Sequence, residues 1–307
     1  MSVPYAKVIV NPAAGGYSIR REWPRIRRQL RDIGLSFDYA YTEGAGHAIE
    51  LARTAADSGC RYLIAVGGDG TVNEVANGIL CSTGSGSTIL GVVSAGTTCS
   101  FARSVGIPQG YIDACSLLTG QRRLLIDVGV VEYTSEGQYL QRFFVNEASV
   151  GLSATVMKAS KHLPTHFGPT INYALHVFRG LRSLFSYRNK RVALCVENKV
   201  EAICICTVVM ANGCYFGGRM YIAPQAKLDD GLLDMVITGN TGRLELLKIW
   251  PALNRGSHTT HPKIRVKKVT KVTIQPSEPV LVEADGELLG ECPASFWVVP
   301  SALTVVV

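Results

Sequence analysis

No apolar run in this sequence is long enough to span a bilayer. The longest, residues 202–211, alternates like a strand and is interrupted by Thr207. Met1-Ser2-Val3-Pro4 leads into an apolar stretch without the basic segment that opens a secretory signal. The nine cysteines are an odd number with no metal-ligand spacing. Reduced, packed thiols are therefore expected, in a cytoplasmic chain. No Gly-Lys-Ser/Thr occurs, which excludes a Walker A kinase. Zinc-finger spacing and aromatic RNA-binding motifs are also missing, so nucleic acid is not an expected partner despite the net charge of +7. That charge leaves an anionic membrane or a phosphorylated substrate. There is no internal repeat and no Pro- or Ser-rich linker.

What is present is a chain of 307 residues, 47% hydrophobic, enough for two closely joined domains. The first part alternates strand and helix. Strands are expected at 6–10, 36–41, 61–66 and 88–93, and helices at 18–32 and 47–56, with a short helix after Thr71 through Gly78. Ser100 to Leu118 reads as helix in pieces around Pro108. Such alternation predicts a parallel, doubly wound α/β domain over residues 1–127.

From about residue 128 strands dominate. They are expected at 125–133, 139–146, 192–196, 202–210, 233–237, 269–274, 280–283 and 296–299, forming an antiparallel β-rich sandwich domain over 128–299. Residues 150–188 read as a helical insertion, with Ile171, Leu175, Phe178, Leu181 and Phe185 on one helix face. The final residues, 300–307, are expected to return to the first domain.

The most specific local feature is Gly67-Gly68-Asp69-Gly70-Thr71-Val72-Asn73-Glu74, between a strand and a helix. Glycines there let backbone approach a ligand closely, and free N–H groups at a helix start attract phosphate. An acidic residue in a phosphate loop makes sense if Asp69 faces Mg²⁺ directly or through water. Two further segments carry acidic groups. Asp285-Gly286-Glu287 places two carboxylates around a turn dipeptide, and residues 227–232 read as a turn with Asp229 and Asp230. On local chemistry alone both are ordinary turns.

The chain resembles the diacylglycerol kinase catalytic superfamily, and most closely its soluble bacterial lipid kinases. The likeness lies in Val10-Asn11-Pro12-Ala13-Ala14-Gly15-Gly16, in Gly67 to Glu74, in Ala211-Asn212-Gly213 with Gly217-Gly218-Arg219-Met220, and in Ala223-Pro224. It continues in Asp229 to Asp234 and in Ala284-Asp285-Gly286-Glu287. The resemblance implies an NAD-kinase-like N-terminal domain that binds ATP and a C-terminal domain that binds a lipid substrate. It implies a nucleotide site of Asn11, Gly15, Thr42, Gly68, Asp69, Gly70, Thr71, Asn73, Glu74 and Thr97. It implies a structural Mg²⁺ loop, with Asp230 and the carbonyls of Lys227 and Leu232 as ligands, and Asp285 and Glu287 as catalytic groups. A positioned carboxylate can take the proton of a lipid alcohol, and the two could divide the work, one as base and one as orienter or metal contact.

One departure stands out. Relatives read G-T-x-N-D-F-A-R where this chain has Gly96 to Arg103, with Cys99 and Ser100 in place of the Asn and Asp. The missing Asp belongs to the network joining the active site to the metal, and Asp127 is the remaining candidate for it. Two alternative readings follow: a catalytically weakened lipid- or nucleotide-binding relative, and an NAD-kinase-like enzyme with a soluble substrate. The stretch from Lys158 to Arg191 mixes basic and aromatic residues, as an interfacial element does, although a core-facing helix has the same pattern. Peripheral contact with an anionic membrane is the expectation. The sequence leaves the oligomeric state open, a homodimer included.

If Gly70 serves by its missing side chain, Gly70→Val abolishes ATP binding in a protein that still folds. Calorimetric titration with ATP beside a circular-dichroism spectrum checks this, and unchanged affinity contradicts the assignment.

Overall fold

A computed structural model describes residues 5–94, 99–160, 182, 185–197 and 199–307. The chain divides into two compact units. One comprises Met1–Val128, Leu228–Gly231 and Val299–Val307; the other comprises Gly129–Lys227 and Leu232–Val298.

The first unit is the expected α/β layer structure. Strands β1 (Ala6–Val10), β2 (Phe37–Tyr41), β3 (Tyr62–Gly67) and β4 (Ile89–Ser94) are separated by helices α1 (Ala14–Asp32), α2 (His47–Asp57) and α3 (Asp69–Leu80). Two shorter helices follow, α4 (Ser100–Ser104) and α5 (Tyr111–Leu117). All strands pair in parallel, in the order β2-β1-β3-β4. The end of the last strand, at Thr304 and Val305, adds to β4, also in parallel.

Helix α1 buries Ile19, Trp23, Ile26 and Leu30 against this sheet, a spacing that keeps them on one helix face. Gly15, Gly16 and Tyr17 are left-handed, so regular helix starts only at Ser18, where the sequence pattern begins it. Helices α2 and α3 pack through small residues. Ala48, Ala52 and Ala56 line α2, and a Cβ at Gly78 of α3 would lie 2.5 Å from both Ala52 Cβ and Ile49 O.

The second unit is antiparallel. It contains β5 (Arg123–Ser135, from Gly129), β6 (Gln138–Phe144), β7 (Glu147–Gly151), β8 (Lys190–Val196), β9 (Lys199–Ala211) and β10 (Leu233–Gly239). It continues with β11 (Ile264–Val269), β12 (Lys271–Pro276), β13 (Leu281–Ala284) and most of β14 (Glu287–Val306). The pairings β9-β7-β13-β14-β12-β8 return to β9, a closed circuit around an apolar core that includes Val208, Met210, Met235, Val272, Val282 and Phe296. Helices α6 (Leu152–Ser160) and α7 (Arg243–Leu253) complete the unit.

Three expectations need correction. Residues 269–274 are not one strand: the chain breaks at Thr270, because β11 pairs with β10 whereas β12 pairs with β8 and β14. The expected strand at 139–146 ends at Phe144, and a separate strand, β7, starts at Glu147. The insertion expected from residue 150 therefore begins as strand and turns helical at Leu152. Helix α7 had no counterpart in the sequence reading. Most of the helix expected at 171–185 lies outside the described residues.

Alanine is a better helix former than glycine by about 1 kcal/mol, yet Gly78→Ala is expected to destabilise the protein. The added methyl meets backbone that has little room to yield, and overpacking of this kind costs about 1–3 kcal/mol. Urea unfolding of the variant checks the sign; a gain in stability would contradict the close approach of α2.

Candidate functional site

Strand β1 lies between β2 and β3, and the chain runs from β1 outward to β2 before crossing back to β3. The direction of winding reverses between β1 and β3. In open α/β sheets ligands bind at such a reversal, beyond the carboxyl ends of the strands. Asn11 is the first residue after β1. Its amide donates to Val66 O at 3.0 Å, its Oδ1 accepts from Ala13 N–H, and its Nδ2 donates to Thr71 Oγ1, both at 3.0 Å. Gly68 is the extended N-cap of α3, and Asp69, Gly70 and Thr71 form its first turn, where the helix dipole favours negative charge. Gly67 admits the Thr71 side chain, since a Cβ there would sit 2.4 Å from Thr71 Oγ1. Gly15 follows in the left-handed turn, with φ 61°. Thr42 follows β2, its amide donating to Val10 O at 2.9 Å. The predicted residues Asn11, Gly15, Thr42 and Gly68 to Thr71 thus meet at the ends of three adjacent strands. Thr97 lies outside the described residues.

The acidic members of this group hold protein backbone. Asp69 Oδ2 and Oδ1 accept from the amides of Ser100 and Phe101, each at 3.0 Å. These bonds secure the start of α4 next to Cys99, a left-handed residue with φ 50°. Glu74 accepts from Gly46 and Ala48 N–H at 2.9 and 3.0 Å, capping α2. Asn73 is buried within α3 and accepts from Asn77 Nδ2.

Asp127 is likewise buried. It accepts from Ser301 N–H at 2.8 Å and Gly231 N–H at 2.6 Å, while its own amide donates to Leu228 O. The segment 228–231 that carries Asp230 is thereby fastened into the first unit, whereas its sequence neighbours Lys227 and Leu232 belong to the second. Among the described residues no group of three or more His, Cys, Asp or Glu side chains is arranged to hold a metal ion. One carboxylate with backbone carbonyls is a sparser donor set, of the kind a hydrated Mg²⁺ accepts.

In the second unit, Asp285 is 5% exposed. Its Oδ2 accepts from Val145 N–H at 2.7 Å, and its Oδ1 from Asn146 and Glu147 N–H at 3.0 and 2.9 Å. Its amide in turn donates to Glu147 O. Asp285 and Gly286 both have positive φ, 46° and 84°, so the tight turn suspected from the sequence is real, and it is also acidic and buried. Glu287 is half-buried and paired with Arg142 at 3.0 Å.

Sequence reasoning missed two residues beside this turn. Glu147 and Glu283 are buried on the adjacent strands β7 and β13, within apolar segments that gave no signal for a carboxylate. Glu283 Oε2 accepts from Gly286 N–H at 3.3 Å, and its Oε1 is in hydrogen-bond contact with Ser149 Oγ. From there the contacts run from Ser149 Oγ to Ser153 Oγ (2.6 Å), to Thr207 Oγ1 (2.8 Å), and to Val150 O (2.9 Å). Burial pushes the Glu283 carboxyl up to about 7, against the hydrogen bond from Ser149, which favours the ionised form.

A carboxyl whose pKa is higher folded than unfolded stabilises most at low pH. That contribution is lost as pH rises from the ordinary carboxyl range to about 7 and is flat above it. Glu283→Gln cannot ionise and lacks this loss. The melting temperature of the wild type relative to Glu283→Gln is therefore expected to fall across that window, and parallel melting curves would contradict a protonated Glu283.

Comparison with known proteins agrees with this architecture. Residues 5–131 match the model of the diacylglycerol kinase catalytic domain, and residues 146–307 match that of the YegS C-terminal NAD kinase beta sandwich-like domain. Diacylglycerol kinase of Bacillus subtilis (strain 168) is 29% identical over 95% of this chain and 92% of its own length. That of Staphylococcus carnosus (strain TM300) is 28% identical over 95% and 91%. A crystal structure of a diacylglycerol kinase from Bacillus anthracis str. Sterne superposes with a TM-score of 0.73 at 22% identity, covering 100% of this chain and 97% of that one. A second structure from the same strain reaches 0.79. The two family models together take in nearly the whole chain, which belongs to the diacylglycerol kinase catalytic-domain superfamily.

Proposed function

We propose that this chain is a lipid kinase that transfers the γ-phosphoryl group of Mg-ATP to the hydroxyl of diacylglycerol or a similar lipid at a membrane surface. The observation that carries the proposal is the meeting of Asn11, Thr42 and Gly68 to Thr71 at the winding reversal, in a chain of this family. In this reading residues 1–127 bind nucleotide, residues 128–299 bind the lipid, and residues 300–307 return to the nucleotide domain. The protein works in the cytoplasm as a peripheral membrane enzyme.

The amides of Gly70 and Thr71 at the start of α3 take the ATP phosphates, with Thr97 contributing from beyond β4. Asn11, through Thr71, keeps the loops after β1 and β3 together. Glu74 acts at one remove, by capping α2. Asp230 with the carbonyls of Lys227 and Leu232 would hold a structural Mg²⁺, which when bound would fix the conformation of this turn. Asp127, with both oxygens on backbone amides, keeps the Asp230 turn in place without the Asp that relatives carry at the position of Ser100. The lipid hydroxyl gives up its proton to Asp285 or Glu287 as it attacks phosphorus. Three backbone donors fix Asp285, and Arg142 orients Glu287.

The two carboxylates call for different tests. Asp285→Asn turns an NH₂ or a single oxygen toward three N–H donors, so it is expected to lose thermal stability as well as turnover. Glu287→Gln leaves the turn intact. If Glu287 is the base, its variant keeps ATP affinity and loses about 10²–10⁴-fold in kcat. If Asp285 is the base, Glu287→Gln falls less and Asp285→Asn shows the larger loss in kcat among molecules that remain folded. Near-normal turnover in both variants would place the base elsewhere.

A further inference from the structure

Helix α7 covers the outer side of the second unit's sheet. Ile249 is buried and Leu253 packs beside it, against Val209 and Ala211 of β9, Val236 of β10 and Ile264 of β11. These strand residues alternate with those that face the sandwich core. The helix is thus anchored by one face, and the other is open to solvent.

That open face is unusual for a surface helix. Leu244 is 74% exposed and Trp250 44%, and Pro251 is exposed between them. Arg243, Lys248 and Arg255 are exposed around these apolar groups and make no ion pair among the described residues. The one acidic side chain of the helix, Glu245, is engaged by Lys263 at 2.5 Å and faces His261 at 3.5 Å. The solvent face therefore presents only cations and large apolar side chains.

We infer that this face of α7 is a docking surface for an anionic bilayer. A tryptophan with neighbouring leucine seats at the headgroup level, and arginine and lysine bury their stems while their charges reach lipid phosphates. A protein partner fits less well. Interface cores are depleted of charge, whereas three unpaired cations here surround two large apolar side chains, too little apolar area for a stable dimer. The inference rests on the lipid-kinase reading for its purpose: a lipid substrate resides in a membrane, and a weak, reversible dock lets the enzyme sample it. It adds a docking site separate from the basic and aromatic stretch at 158–191, most of which lies outside the described residues.

The test uses the full chain with phosphatidylglycerol and phosphatidylcholine vesicles. Leu244→Glu combined with Lys248→Glu is expected to lower sedimentation with phosphatidylglycerol vesicles by at least about tenfold. Wild-type tryptophan emission is expected to shift to the blue on those vesicles, and the shift to vanish in Trp250→Phe. Phosphoryl transfer to detergent-dispersed diacylglycerol stays at the wild-type rate in the double variant, since α7 carries none of the site residues. Unchanged vesicle binding by the double variant, a blue shift that survives Trp250→Phe, or a dimer that Leu244→Glu dissociates would overturn the inference. If the wild type transfers nothing to dispersed lipid while the double variant still loses the vesicles, the kinase reading fails and the docking surface stands.

Discussion

The interaction on which the rest depends is a buried or half-buried carboxylate accepting backbone N–H bonds. Four residues do this in the same way. Asp69 holds Ser100 and Phe101, Glu74 holds Gly46 and Ala48, Asp127 holds Gly231 and Ser301, and Asp285 holds Val145, Asn146 and Glu147. A hydrogen bond to a charged group contributes about 1.5–3 kcal/mol, and leaving such a group buried and unsatisfied costs more. Each carboxylate therefore sets the conformation of a loop that has little apolar surface of its own. The surroundings of the glycine-rich loop, the Asp230 turn and the start of β7 are all held by such clips.

This arrangement holds the loops around α4 with an uncharged side chain, Ser100, at the start of that helix. Ser100 still supplies the amide that Asp69 needs, because a backbone donor does not depend on the side chain. Asp127 fastens residues 228–231 through amides of Gly231 and Ser301, which likewise survive substitution of the side chains around them.

Much of this was legible in the sequence. The alternation of strand and helix gave the parallel sheet, because β1, β3 and β4 are mostly apolar, with Lys7 and Ser94 the exceptions, and sit between helical patterns. The glycine-rich loop pointed to the end of β3, where it lies. The acidic residues were legible as important and illegible in role: spacing shows that a carboxylate is near a loop, and only the fold shows which amides it meets. Glu147 and Glu283 were silent for a related reason. A single carboxylate in an apolar strand looks like an outward-facing residue, and here both faces of β7 and β13 are covered. Helix α7 escaped notice because Leu244 and Trp250 break the apolar-inside pattern that marks a surface helix.

The central claim is phosphoryl transfer to a lipid hydroxyl. Incubating the protein with γ-labelled ATP, Mg²⁺ and a mixed lipid extract, then separating the products, tests it most directly. The account predicts label in a lipid phosphate monoester, diacylglycerol phosphate or a close relative. Label confined to water-soluble products, or ATP left unconsumed while the protein binds it, would contradict the account.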